Sequence, residues 1–235
     1  MAFSLGKFGA ALALAASLNG IAFAQLVVPT GATINVPPGG TLSLGCGALN
    51  VQGAFNVSSG QVSNAGSVSI GGTGTVNGGS GTINLSGNWS NSGSFVPGTG
   101  SVVITDGCAA GQIEITGTTV FNNLTLTSTN GRTFVLPPGA NITVNGTLTL
   151  QGTAGQPIQL ISASGQTAVV NLGPQAQVVR NFATVPGTVQ IGAAVAASPQ
   201  AIPTLSEYGM MILSLLLAAT ALGRGRLGLA GIKRK

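Results

Sequence analysis

From residue 25 to about residue 192, apolar residues alternate with small polar ones, and Gly or Asn interrupts the alternation every few positions. Thr82-Ile83-Asn84-Leu85-Ser86-Gly87-Asn88-Trp89 is one such stretch, and Ile142-Thr143-Val144-Asn145-Gly146-Thr147-Leu148-Thr149-Leu150 is another. A period of two marks strands with one buried face. Apolar strand centres fall at Ile34, Leu42, Leu49, Phe55, Val62, Val68, Val76, Ile83, Trp89, Phe95 and Val102, in steps of six to eight residues. Three such steps make a coil of about 20 residues, the scale of a solenoid repeat. The pattern predicts an all-β fold, a parallel β-helix whose coils each place one short strand on each of three sheets. Gly, Asn and Ser would turn the corners, and stacked coils would share one apolar core. The alternative is a β-sandwich, which is also built from short, evenly spaced strands.

After Cys108 the spacing loosens. The pattern there predicts strands over Gln112–Thr116, Phe121–Thr127, Thr133–Leu136, Ile142–Leu150, Ile158–Ile161 and Ala168–Leu172. Two turns, Pro37-Pro38-Gly39 and Pro137-Pro138-Gly139, stand in similar contexts and suggest two related halves. The β-array is therefore assigned to residues 25–192.

Both ends differ from this pattern. Lys7, the apolar run from Phe8 to Leu18 and the small residues of Ala22-Phe23-Ala24 have the order of a secretory signal peptide over residues 1–24, cleaved before Gln25. The competing reading is an N-terminal anchor, which the short run and Asn19-Gly20 weaken. Residues 193–201 read as a small-residue linker. The second apolar run, Met210 to Leu222, spans 13 residues, about 20 Å as a helix. A bilayer core is about 30 Å thick. The run predicts a short transmembrane helix over about 208–223, stopped by Arg224, Arg226, Lys233, Arg234 and Lys235 on the cytoplasmic side.

Ile202, Pro203, Thr204, Leu205, Tyr208 and Gly209, followed by that run and the basic end, carry a resemblance. Segment 202–235 resembles the IPTL-CTERM sorting signal of Gram-negative bacteria, with Tyr208 where the pattern usually has Trp. The resemblance implies processing by an exosortase-type membrane protease near the motif, after export by the general secretion machinery. It implies brief residence in the inner membrane and delivery to the envelope, surface or extracellular matrix, often beside exopolysaccharide. A more diffuse similarity links Gly87–Phe95 and Thr118–Leu126 to repeats of bacterial surface β-solenoid proteins.

Charge and chemistry narrow the function further. Charged residues make up only 5% of the 235-residue chain, against about a quarter in average usage. The net charge of +5 belongs to the ends, because Asp106, Glu114, Arg132 and Arg180 cancel within the array. No cluster of cations exists there to neutralise phosphates, so no nucleic-acid partner is expected. The chain has no histidine, which excludes a Ser-His-Asp triad. Its two cysteines cannot supply a zinc site. No metal, cofactor or catalytic residue is expected. Asp106 and Glu114 are the only pair that could serve as glycosidase carboxylates, and exposed turn residues are the simpler reading. Cys46 and Cys108 are candidates for a disulfide in an oxidising compartment, or for two separately buried thiols. Asn-x-Ser/Thr triplets at Asn56, Asn84, Asn88, Asn123, Asn141 and Asn145 are expected from composition, with Asn suited to corners and ladders. Thr125-Leu126-Thr127 and Thr147-Leu148-Thr149 could lay hydroxyl rows on a flat face, as ice binders do. The leading expectation is a non-catalytic exported surface protein with a structural or adhesive role. A carbohydrate- or ice-binding module and a polysaccharide-degrading β-helix enzyme are the alternatives.

Overall fold

The computed structural model describes residues 25–192, apart from 109–110 and 164–165. The expected signal peptide 1–24, linker 193–201 and sorting segment 202–235 lie outside the described residues, as does the helix at about 208–223. Among the described residues no helix is long and apolar enough to cross a membrane.

The chain winds as a β-solenoid of about seven turns. Turn one holds β1 (Leu26–Val28), β2 (Thr33–Asn35) and β3 (Thr41–Ser43), and turn two holds β4 (Leu49–Val51), β5 (Ala54–Asn56) and β6 (Gln61–Ala65). Turn three holds β7 (Val68–Ile70), β8 (Thr75–Asn77) and β9 (Thr82–Leu85), and turn four β10 (Trp89–Asn91), β11 (Ser94–Val96) and β12 (Ser101–Ile104). In turn five the long strand β13 (Ile113–Phe121) covers two faces and β14 (Asn123–Thr127) the third. Turns six and seven hold β15 (Thr133–Leu136), β16 (Asn141–Val144), β17 (Thr147–Gln151), β18 (Ile158–Ser162), β19 (Ala168–Leu172) and β20 (Gln177–Asn181). Strands β21 (Ala183–Thr184) and β22 (Val189–Ile191) begin another turn.

Each strand pairs in parallel with its counterpart one turn away, and the third face runs without interruption as β3-β6-β9-β12-β14-β17-β20. Among the described residues the one antiparallel pairing is the isolated bridge Thr153–Gln156. A sandwich of antiparallel hairpins is therefore excluded. Leu26 pairs with Leu49, Leu49 with Val68 and Val68 with Trp89, so the early turns are 23, 19 and 21 residues long. These lengths bracket the coil read from the sequence. Trp89 pairs with Ile115, 26 residues on, because the loop between β12 and β13 is longer than the corresponding loops before it.

Period-two burial follows the registers. Leu49, Val51, Phe55, Val62, Val68, Ile70, Val76 and Ile83 all point inward and are almost fully buried. Each large side chain so buried gains about 2–3 kcal/mol over leaving it exposed, and the core continues from turn to turn as one cluster. On the outer side of β2, β5 and β8 the amides stack. Asn56 Nδ2 donates to Asn35 Oδ1 at 2.7 Å, and Asn77 Nδ2 donates to Asn56 Oδ1 at 2.6 Å.

One corner shows why small residues recur at fixed intervals. Gly39, Ser58, Gly79 and Gly98 follow β2, β5, β8 and β11 and all have positive φ, from 56° to 71°. A Cβ at Gly79 would collide with the carbonyl oxygen of Ser58, and one at Gly98 with that of Gly79. Those carbonyls accept from Ser80 N and Thr99 N, so at Gly79 and Gly98 the turns stack with no room for a side chain between them.

Every strand centre read from Ile34 to Val102 lies in its own strand, β2 to β12. After Cys108 the expected boundaries need correction. Of the expected Gln112–Thr116, Gln112 precedes the strand and Ile113–Thr116 open the longer β13, which bends at Gly117 (φ 84°) and continues onto the next face. Phe121 ends β13, and β14 starts only at Asn123. Ile142–Leu150 is two strands, because Asn145 N and Gly146 N turn to donate to Phe121 O and Asn122 O. The Pro-Pro-Gly turns do not mark equivalent halves. The first joins the second face to the third, between β2 and β3, and the second joins the first face to the second, between β15 and β16.

Candidate functional site

The side chains with distinctive chemistry gather where the third face turns back to the first. Successive turns place Cys46, Gly66, Ser86, the 105–112 loop and the 128–132 turn along this corner. Residues 105–108 fold back toward the N-terminal turns. Cys108 N donates to Ser86 Oγ at 3.0 Å, and Cys108 Sγ bonds Cys46 Sγ at 2.00 Å. The disulfide joins residues 62 apart in sequence whose Cα atoms lie 5.2 Å apart.

Asp106 opens this loop and meets the next turn. Its Oδ2 accepts from Thr129 N (2.6 Å), Thr129 Oγ1 (3.0 Å), Ser128 Oγ (3.1 Å) and Asn130 Nδ2 (3.2 Å). Its Oδ1 accepts no hydrogen bond but faces Arg132 Nε at 3.2 Å. Arg132 Nη1 also donates to Ser86 O at 2.9 Å, so one guanidinium bridges two neighbouring corners. Ser128, which is buried, accepts from Asn130 N and Arg132 N and fixes the turn that presents these donors. Burial alone would raise the Asp106 pKa. The bonds from Thr129 N, Ser128 and Thr129, together with the Arg132 charge, outweigh burial and hold it below its ordinary 3.8.

Beside this cluster lies an open cleft of about 490 Å³, bordered by Gly107, Gly111, Gln112, Asn130, Arg132 and Thr133. Neither acid lines it. Glu114 projects outward from the first face on β13, and its backbone N–H donates to Asn88 Oδ1. Asp106 turns both carboxylate oxygens to the 128–132 turn. Nothing aims the pair at a common point, and the Asp106 oxygens are arranged to hold a charge in place.

The threonines expected to form rows lie on the third face. Thr125 and Thr149 are in register, but their neighbours in that row are Val103 and Val179. Thr127 pairs with Gln151, and Thr147 with Gln177. The hydroxyls therefore extend over one pair of turns only. Several triplet asparagines are occupied in the stack: Asn56 in its ladder, Asn88 at Glu114 N, Asn123 at Thr147 N, and Asn141 as acceptor from Asn171.

Of the other residues singled out from sequence, Gln25 is the first described residue and stands exposed immediately before β1. Ala22, Ala24, Ile202 to Gly209, and the basic residues from Arg224 to Lys235 lie outside the described residues. The Asp106–Arg132 pair was not anticipated. The available signal was two opposite charges about one turn apart in an almost uncharged array.

No curated protein and no solved structure matches the chain. The IPTL-CTERM motif matches residues 200–226, from before Ile202 through the apolar run to Arg226. This β-solenoid therefore carries an IPTL-CTERM sorting motif, which implies processing by an exosortase-type system and export to the cell surface.

Proposed function

We propose that the protein is a non-catalytic structural or adhesive element of the cell envelope or extracellular matrix. The observation that carries this reading is the sorting motif at 200–226 behind a nearly charge-free β-solenoid. In this reading residues 1–24 are removed before Gln25, and the helix at about 208–223 holds the chain in the inner membrane. The exosortase-type protease then cleaves near Ile202-Pro203-Thr204-Leu205. The rigid array engages exopolysaccharide, matrix or other surface components through backbone-like amide and hydroxyl groups, without a reaction. The occupied Asp106 oxygens and the outward Glu114 favour this over a glycan-cleaving enzyme. The single Thr125–Thr149 pair favours it over an ice binder.

Cell fractionation with intact-mass measurement tests the sorting step. A mass ending near residue 202, recovered outside the inner membrane, is expected. A mass corresponding to Gln25–Lys235, found only in the inner membrane, overturns it. Incubation of the surface fraction with matrix polysaccharides tests the passive role, since any shortening of the glycan contradicts it.

A further inference from the structure

We infer that the array self-associates head to tail, the first turn of one copy stacking on the last strands of another. This rests on the structural reading above and supplies its geometry. Core residues that remain only partly buried concentrate at the two ends. Leu26, Ala32, Ile34, Leu42 and Leu44 lie in the first turn, and Leu172, Ala183, Val185 and Ile191 lie near the last. Every residue of β20 is exposed, including Val178, whose register partner Leu148 is buried in the core. Among the described residues both ends are thus cross-sections of the core left open.

The backbone at each end is equally incomplete. Among the described residues, strands β1, β2 and β3 have partners on one side only, and so do β20, β21 and β22. Solenoids ordinarily cover such ends with a capping unit, and an uncovered strand edge is a template for another chain. Here each end offers three strand edges around an apolar centre. All pairings between the named strands are parallel, so a second copy stacked in the same direction continues all three sheets with the hydrogen-bond pattern they already have. An antiparallel or isologous meeting of like ends does not. Such a heterologous contact does not close on itself and builds a file of copies.

Charge permits the contact. Residues 25–60 contain no charged side chain, and Arg180 is the single charge within residues 133–192. Its register partner Leu150 faces the core, so Arg180 places a cation on an apolar column of the joint. An inward charge on an edge strand restrains edge pairing. The association is therefore reversible, and Arg180→Leu tightens it.

Sedimentation velocity on the full chain in mild detergent tests the joint independently of where the cell delivers it. The wild type forms concentration-dependent oligomers. Leu42→Glu blocks one end and Val178→Glu the other, and each alone weakens self-association by at least about tenfold. Mixing the two variants restores one intact pair of unlike ends, so the mixture forms dimers of wild-type strength and nothing larger. Circular dichroism and the retained Cys46–Cys108 bond establish folding, and Ile34→Glu replaces Leu42→Glu if that variant does not fold. A wild type that stays monomeric overturns the inference. So do oligomers that persist in both variants, which would place the contact in the C-terminal segment, and a mixture that does not dimerise. Any of these results leaves surface sorting untouched.

Discussion

Cys46 and Cys108 are bonded although three turns of the solenoid separate the corners they occupy. Adjacent strands lie about 4.8 Å apart, so the corners stand roughly three such spacings from each other. Residues 105–108 close that distance by running back along the edge, over Ser86 and past Asn64. The disulfide thus fastens the longest early insertion to the start of the array and ties the corner after the first turn to the corner after the fourth.

Loss of this bond should cost stability without changing the fold. A closed loop of 62 residues restricts the unfolded chain by about 4 kcal/mol in the chain-entropy account. Cys46→Ser, Cys108→Ser and the double variant should each lower the unfolding free energy by about that amount. Guanidinium unfolding, with and without reductant, measures it. The double variant should be no worse than either single one, and reductant should affect only the wild type.

Asp106 and Arg132 make an adjacent fastening that depends on pH. The folded-state carboxyl is held below 3.8. Its contribution is therefore complete above its unfolded value and is lost as pH falls through the folded value. Wild-type stability should decline below about pH 4 on this account. Asp106→Asn removes the charge opposite Arg132 and sets an amide N–H₂ among donors. It should cost about 1–3 kcal/mol at pH 7 and remove this part of the acid-side decline. Thermal unfolding of both proteins between pH 2 and pH 7 should show the curves converging at the acid end.

Much of the fold was legible from the chain because each early turn repeats one simple rule. From Ile34 to Val102 the corners are tight, so the apolar residue of each strand recurs at nearly constant spacing and the period identifies the solenoid. Legibility fell where side chains replaced backbone geometry. The bend of β13 depends on Asn91, whose Nδ2 donates to Thr118 O and Thr119 Oγ1 from the turn before. The sequence around Gly117 does not announce that partner. Strand β20 reads Gln-Val-Val-Arg-Asn and lacks alternation, because at an open end its inward side is not required to be apolar throughout. The Asp106 cluster was hidden for a different reason. Its donors come from a turn 22 to 24 residues away, and no local pattern distinguishes it from two charged corner residues.

Corner stacking predicts unequal costs for the same substitution. Gly98 and Gly31 both have positive φ, at 57° and 80°. A Cβ at Gly31 meets nothing within 4 Å, whereas one at Gly98 strikes the backbone of Gly79. Gly31→Ala should cost only the conformational strain, about 1–2 kcal/mol. Gly98→Ala adds displacement of the turn beneath and should cost at least about 3 kcal/mol. Paired denaturant curves decide this, and equal losses would show that the corner yields freely.

Trp89 gives a direct view of the point where β10 hands over to β13. It is the chain's single tryptophan and is fully buried, with Phe95 and Phe121 at ring-centroid distances of 5.0 and 5.2 Å. Its Nε1 donates to the buried hydroxyl of Thr119 at 3.1 Å, and Asn91 Nδ2 donates to the same oxygen at 3.1 Å. Phe121→Ala opens a cavity against the indole. It should cost about 3–5 kcal/mol and shift Trp89 emission to the red if water enters. Thr119→Val keeps the shape but removes the acceptor, leaving the indole N–H unsatisfied in the core, at a cost of about 1–3 kcal/mol. Thr119→Ser restores that oxygen and should recover most of the polar part. Unfolding followed by Trp89 fluorescence separates the two effects. A Thr119→Val protein as stable as wild type would mean that the hydroxyl does not hold the junction together, and that packing of Trp89 against the two phenylalanines is enough.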